Sequence, residues 1–420
     1  MKNTALATLV ATFALALSAC SQPALPSTMP ANDTPAAQTA DTNPSDTASV
    51  SAQAITSASY GREDGVMMVN GKPFFMMGMN HVSWAGDAAR RQRDLVAMAD
   101  LGFNTFAGST VEEDGDPAIY KKLLDTAYAR GMMIMTSPYE PTKAEFAAPM
   151  KDHPAHMGWG ILDDCQNAHN DPVEAVKILM ERHATSKQID PNHLTVTSLG
   201  ISFTNDRREF FGVDKADVVT NQAYPIGTVD EIGMVYPVMA KLVERADIAS
   251  RKNPTDGRGV VPVANLQTFK WEGGRYPTPL ELNSMTNQSL AAGVKGILYY
   301  TYFDSTNDMS TYHALDTEIK NLNREIKQLA PILMNGKRQA IPVTDTWGAA
   351  KATLWTYQNR RYLLVLNQDY QHDQELTLQL PGNAKRLVPL FAGRPSGMTL
   401  RGRTVSGFMP AMGSHWYEVQ

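Results

Sequence analysis

Cysteine is nearly missing from this 420-residue chain: Cys20 and Cys165 are the only two. A disulfide framework is therefore not what holds the fold together, and a chain of this length can bury a core large enough to manage without one. Long hydrophobic runs are missing too. The longest, from Ala5 to Leu17, falls short of the roughly 20 apolar residues that a spanning helix needs. No G-x-G-x-x-G or Walker-type loop follows any apolar run, and phosphate-gripping glycines are absent late in the chain, which excludes a nucleotide cofactor. His81, His153, His156 and His169 do not fall at metal-ligand spacing, so no metal is expected. The net charge of -5 gives no basic surface for nucleic acid or an anionic membrane face.

What is present begins with an export signal. Lys2, the apolar stretch to Leu17 and the ending Leu17-Ser18-Ala19-Cys20 have the form of a secretory signal. That ending resembles a bacterial lipobox. The resemblance implies cleavage before Cys20, lipidation of its thiol and attachment to a membrane through that lipid. Ser21 follows the cysteine where an aspartate would retain the protein at the inner membrane, so the implied destination is the outer membrane, on its periplasmic face or at the cell surface. Residues 21–58 are rich in Pro, Ala, Ser and Thr and almost without large apolar side chains. Such a segment cannot offset its ordering entropy and reads as a disordered tether.

Beyond it stand eight short apolar runs separated by helical patterns. They are FFMMGMN (from Phe74), FNTFAG (Phe103), MMIMTSPYE (Met132), MGWGILDD (Met157), HLTVTSLG (His193), DVVTNQAYP (Asp217), VVPVANLQTF (Val260) and KGILYYTYFD (Lys295). Parallel strands covered on both faces read as continuous apolar runs. Eight of them alternating with helices predict an α/β fold, a (β/α)8 TIM barrel, over residues 59–335. Helices are expected over 87–101, 117–130, from Pro172, from Thr278-Pro279 to Gly293, and from about 311 to 333. Methionines inside the runs, such as Met76 and Met135, read as adaptable core packing. Cys165, with no histidine motif beside it, reads as a buried small hydrophobe. After Gly336 the period changes to two in ATLWTY, RYLLVLNQ and ELTLQL, with a hairpin turn at Asn359-Arg360. Residues 336–420 are predicted to form a small antiparallel β-sandwich that caps the barrel.

Chemistry in such barrels sits where the strands end. The runs close on Asn80, His81 and Trp84; on Tyr139 and Glu140; on Asp163 and Asp164; on Tyr224; on Gln267, Trp271 and Glu272; and on Tyr302 and Asp304. Carboxylates, amides and aromatic rings are the groups that meet hydroxyls and the C–H faces of sugar rings.

Several segments carry a family resemblance. VNGKPFFMMGMNHVSW, ADLGFNTF, LLDTAYARGMMIM, HPAHMGWGILDDC and RYPTPLELNSMTNQSLAAGVKGILYYTYFD resemble successive units of the clan A glycoside hydrolases, the barrel group that includes beta-galactosidases and endoglucanases. The resemblance covers about residues 64–335. It implies a carbohydrate substrate, no cofactor, and two glutamates: an acid/base after the fourth strand and a nucleophile after the seventh. Asp164 holds the first place, with Asp163 before it. Tyr224 matches the tyrosine that usually bonds the nucleophile. The second place holds Gln267, which cannot be a nucleophile.

Three readings stay open. Asp164 is the acid, its protonation favoured by the neighbouring Asp163, with Glu140, Glu272 or Asp304 as a displaced base; a separation of about 6.5–9.5 Å would then give inversion rather than the retention that about 5–5.5 Å allows. Alternatively, Gln267 positions the substrate's own acetamido group. Or the barrel is a catalytically inactive lipoprotein that binds carbohydrate. Of two adjacent acids on a strand only one faces inward, and the family register favours Asp164.

Overall fold

The computed structural model describes residues 57–109, 116–137, 150–163, 172–199, 215–227, 231–252, 258–394 and 396–420. The export signal, Cys20, Tyr139, Glu140, Asp164 and Cys165 lie outside the described residues.

A small antiparallel sheet comes first: β1 (Ser59–Gly61), β2 (Met67–Val69) and β3 (Lys72–Pro73). The sequence reading gave these residues to the barrel. They instead close its floor, because Met67 and Val69 join the apolar cluster inside the barrel. Ser57, expected in the tether, is buried against this floor, its hydroxyl donating to the His156 carbonyl at 3.1 Å.

Eight parallel strands then close on themselves: β4 (Met76–Val82), β5 (Thr105–Ser109), β6 (Met133–Ser137), β7 (His156–Leu162), β8 (Leu194–Leu199), β9 (Val218–Ala223), β10 (Val261–Gln267) and β11 (Gly296–Tyr300). The ring closes where β11 pairs with β4, Gly296 opposite Met76. Alternate residues fill the interior, among them Met76, Met135, Val196, Val263 and Leu298. The opposite set packs outward against helices, with Met77 and Met79 meeting Leu95 and Met98. Gly78 is required by this closeness, since a Cβ there would stand 2.2 Å from the Thr105 carbonyl oxygen.

The helices are α1 (Ala88–Asp100), α2 (Pro117–Ala129), α3 (Pro172–Ile189), α4 (Val235–Lys252), α5 (Pro279–Ala292) and α6 (Asp316–Asn335). Their ends follow local chemistry. Asp87 caps α1 by accepting from the Arg90 amide at 2.7 Å. Thr278 and Glu281 form a reciprocal capping box at the start of α5, and Gly293 ends it at φ 102°, a conformation glycine adopts without a Cβ clash.

Two antiparallel sheets complete the chain. One joins β12 (Lys337–Ile341), β14 (Ala350–Tyr357), β15 (Arg360–Asn367), β20 (Ser414–Val419) and β17 (Leu387–Pro389); the other joins β13 (Val343–Asp345), β16 (Gln374–Gln379), β19 (Thr404–Met409) and β18 (Met398–Arg401). Leu354, Leu363, Val365 and Leu378 share the core of this sandwich. The hairpin turn sits one residue earlier than expected. Tyr357 pairs with Arg360, and Gln358 and Asn359 both have positive φ, as a two-residue turn matching strand twist demands. The sandwich docks on α5, whose side chains are buried all round. Trp416 Nε1 donates to Asn287 Oδ1 at 2.7 Å, and Gln368 Nε2 to Gln288 Oε1 at 3.0 Å. No helix among the described residues is long and apolar enough to cross a membrane.

Candidate active site at the mouth of the barrel

Two irregular strand ends bring the first pair of groups together. The β4–β5 ladder slips between Met79 and Val82, and the β7–β8 ladder slips between Gly160 and Leu162. Such slips bend a strand and re-aim the side chains beyond them. Here they bring His81 Nε2 to 3.0 Å from Asp163 Oδ2, with 12% and 21% of the two side chains exposed. Both line a small open pocket of about 20 Å³, together with Asn80, Gly160, Ser198 and Thr220. The Asn80 amide nitrogen and the Thr220 hydroxyl have no hydrogen-bond partner among the described residues. These groups can bond hydroxyls of a ligand or water.

The turn that carries His81 is strained. His81 and Ser83 have φ of 50° and 56°, a region that costs a residue with a Cβ roughly 1–3 kcal/mol. Neighbours hold it there. The Ser83 hydroxyl bonds the buried Asp94 carboxylate, which also accepts from Arg90 Nε at 2.7 Å. Arg90 in turn bonds Asp308 at 2.6 Å and lies 3.9 Å above the Phe303 ring. On the other side Trp84 Nε1 donates to the Tyr300 hydroxyl at 3.2 Å. The turn is thus fastened to α1 and to the end of β11 at once.

An aromatic wall stands beside the pair. The Tyr224 ring meets Phe269 edge-on at 5.1 Å and lies 6.1 Å from Tyr300, while Phe269 meets Trp271 at 4.7 Å. Trp271 is 40% exposed. Tyr300 is 6.4 Å from the His81 ring. Burial, and then the charge of Asp304, push the Tyr300 phenol well above its ordinary value. It therefore remains a neutral hydrogen-bonding group and cannot act as a base near neutral pH.

The structure spreads the other expected residues widely. Gln267 is not a substrate ligand. Its side chain is fully buried, with Oε1 accepting from the Ile226 amide at 2.8 Å and Nε2 donating to the Ile226 and Phe269 carbonyls at 2.9 and 3.2 Å. An amide spent on backbone cannot also position an acetamido group. Tyr302 is a second correction. β11 ends at Tyr300, so the alternation that would turn Tyr302 inward stops, and its ring is buried behind the wall in the helix-facing core. Burial and the nearby Asp94 and Asp316 charges raise its pKa.

Asp304 is drawn into the rim, where Oδ1 accepts from the Thr306 and Asn307 amides at 2.7 and 2.6 Å. It shapes the loop rather than reaching into the cavity. Glu272 stands exposed on the turn after Trp271, with no ion pair among the described residues. Phe269 and Tyr300 close the seventh and eighth apolar runs without being assigned to the site from sequence, and Ser198 and Thr220 were not singled out. Inward alternation along β8, β9 and β11 is the signal that marks three of them.

One other group of side chains could in principle hold a cation. The donor atoms of His156, Asp190 and His193 lie within 4.8 Å of one another. They sit at the opposite end of the barrel and are fully buried. Asp190 already accepts from Trp159 Nε1 and His193 Nδ1, each at 2.8 Å, and from the Asn192 amide at 3.2 Å. These bonds fill the lone pairs that a cation would take, so the cluster serves the fold. Burial lowers the His156 pKa to about 4, against the pull of Asp190. Burial works against Asp190 as well, but its imidazole neighbours and Trp159 hold it well below the usual carboxylate range.

Solved structures share this architecture. One described as a glycoside hydrolase is 14% identical, covers 87% of this chain and 97% of its own, and superposes with a TM-score of 0.58. A GH51 arabinofuranosidase from Xanthomonas axonopodis pv. citri is 12% identical, with coverages of 87% and 98% and a TM-score of 0.52. AmyP in complex with maltose is 10% identical, with coverages of 81% and 92% and a TM-score of 0.51. The fold shared with them is a TIM barrel followed by a β-sandwich. No family model matches the chain. No curated protein matches it either.

Proposed function

We propose that this protein hydrolyses glycosidic bonds of oligo- or polysaccharides, with the consecutive acids after β7, Asp163 and Asp164, supplying the carboxylate chemistry. The observation that carries this reading is the Asp163–His81 pair over the cavity. Two bulged strands and a strained turn maintain it, and strain of that kind persists where function needs it. The fold and the neighbouring aromatic wall agree, since exposed Trp271 offers a flat apolar face to a sugar ring. A carbohydrate is the partner that amides, a carboxylate and aromatic faces suit together.

A second reading has one specific observation in its favour. Gln267 occupies the place of the family's nucleophile and is locked to backbone, which suits a barrel that binds saccharide without turnover. A screen of the purified protein against aryl glycosides and plant and algal oligosaccharides separates the two. New reducing ends support the hydrolase. Saccharide binding by calorimetry with no product supports the binder, and the absence of both results would remove any carbohydrate role.

The export reading belongs here as well. The sequence ending at Cys20 supports a lipid-anchored protein at the outer membrane. Fatty-acid labelling of the expressed protein should be lost in Cys20→Ser; labelling that survives contradicts the anchor.

A further inference from the structure

The strain in the turn after β4 is concentrated on His81 and Ser83, and the hydrogen bonds around it serve to keep His81 where it is. Ser83 is tied through Asp94 to Arg90 and Asp308. Trp84 is tied to Tyr300. An aliphatic side chain at position 81 would be strained for no return. What the imidazole gains from this position is the 3.0 Å contact with Asp163. The carboxylate lies at the end of a second bulged strand, on the wall of the cavity.

We propose that His81 is a positioning residue which holds the Asp163 carboxylate, ionised, over the cavity, so that Asp163 is the acid of the Asp163–Asp164 pair that faces the substrate. The proposal rests on the hydrolase reading and refines it. It reverses the assignment by family register, which favours Asp164. It also gives the mouth a charge partner of a different kind from the missing second glutamate. An imidazole cannot take over nucleophilic attack from Gln267, but it can fix the direction and charge of one carboxylate. Among the described residues, the groups that face His81 are Asp163 from β7 and Tyr300, with Asp304 behind it, from β11. From α1, Asp94 and Arg90 stand behind Ser83. Asp163 is in direct contact at 3.0 Å, so His81 should register its removal.

The first test needs no substrate. In the full chain with isotope-labelled histidine, the titration midpoint of the His81 ring is followed by NMR in the wild type and in Asp163→Asn. An opposite charge at this distance shifts a titration by about 1 unit or more. The midpoint should fall by about that much in the variant. A change below about 0.2 units would overturn the pairing.

The second test is kinetic. His81→Asn accepts the left-handed backbone more readily than most residues, so the protein should fold with an unchanged or higher melting temperature. Its kcat/KM should drop at least about 100-fold, because Asp163, the acid–base group, is then no longer held ionised and aimed at the substrate. The acidic limb of the pH profile should move to higher pH. An unmoved limb would reduce His81 to a structural role. A wild type without turnover on any glycoside would sink the hydrolase reading instead, and the titration would still decide the pair.

Discussion

The two ends of the barrel each hold an aspartate against histidine, and they use it differently. At the floor, Asp190 meets His193 at 2.8 Å with 1% of either side chain exposed. At the mouth, Asp163 meets His81 at 3.0 Å with 21% and 12% exposed. The floor pair is tied to Trp159, Asn192 and Ser57, although both nitrogens of the neighbouring His156 have no hydrogen-bond partner among the described residues. The mouth pair borders a cavity and unpartnered amide and hydroxyl groups. The same two side-chain types thus give a fastening where water is excluded and a candidate reaction centre where it is admitted. Their surroundings decide between these roles.

The sharpest break in this comparison is removal of the acid at each end. Asp190→Ala leaves the buried His193 imidazole and the Trp159 indole N–H without their acceptor and should cost about 3–5 kcal/mol in urea denaturation. Asp163→Ala should cost about 1 kcal/mol or less, as for a partly exposed pair. Equal losses would erase the distinction.

Acid should act on the floor next. His156 is held near 4 in the folded chain, against an ordinary 6.5 when unfolded. Between those values the unfolded chain binds the extra proton, so stability is complete above about pH 6.5 and falls as the pH drops toward 4. The loss is on the order of 3 kcal/mol. Asp190, depressed in the folded state, adds to it as the pH falls below the carboxylate's own unfolded range. Urea midpoints at pH 7 and pH 4.5 measure this, and His156→Gln should weaken the dependence.

Smaller effects sharpen the contrast. Ser57→Ala removes the partner of His193 Nε2 and should cost about 1 kcal/mol, read as a lower melting temperature. Trp271→Ala at the mouth should change stability by about 0.5 kcal/mol or less yet weaken saccharide binding severalfold by calorimetry. An unchanged affinity would remove the indole from the site.

The sequence showed the barrel more clearly than its mouth. Runs such as VVPVANLQ and MGWGILDD announce strands because burial on both faces leaves little room for polar residues. Caps at Asp87, Thr278 and Gly293 announce helix ends because their chemistry is local. The floor sheet at residues 59–73 was illegible, since Met67 and Val69 look like any strand until the barrel they plug is present. α5 carries Asn283, Asn287 and Gln288 on a face that reads as solvated and is instead covered by the sandwich. At the site, composition pointed to Asn80, His81, Asp163, Tyr224 and Trp271. It could not show that a strand ends at Tyr300, which moves Tyr302 into the core, or that Gln267 turns to the backbone of Ile226. Those outcomes depend on where a ladder stops and which carbonyl lies near, and neither is a local property of the sequence.

The most direct measurement is the turnover of Asp163→Asn on whichever glycoside the wild type cleaves, with urea stability measured on the same samples. The account predicts a fall in kcat/KM of at least about 100-fold at an unchanged urea midpoint. Hydrolysis at the wild-type rate by a fully folded Asp163→Asn protein would contradict it.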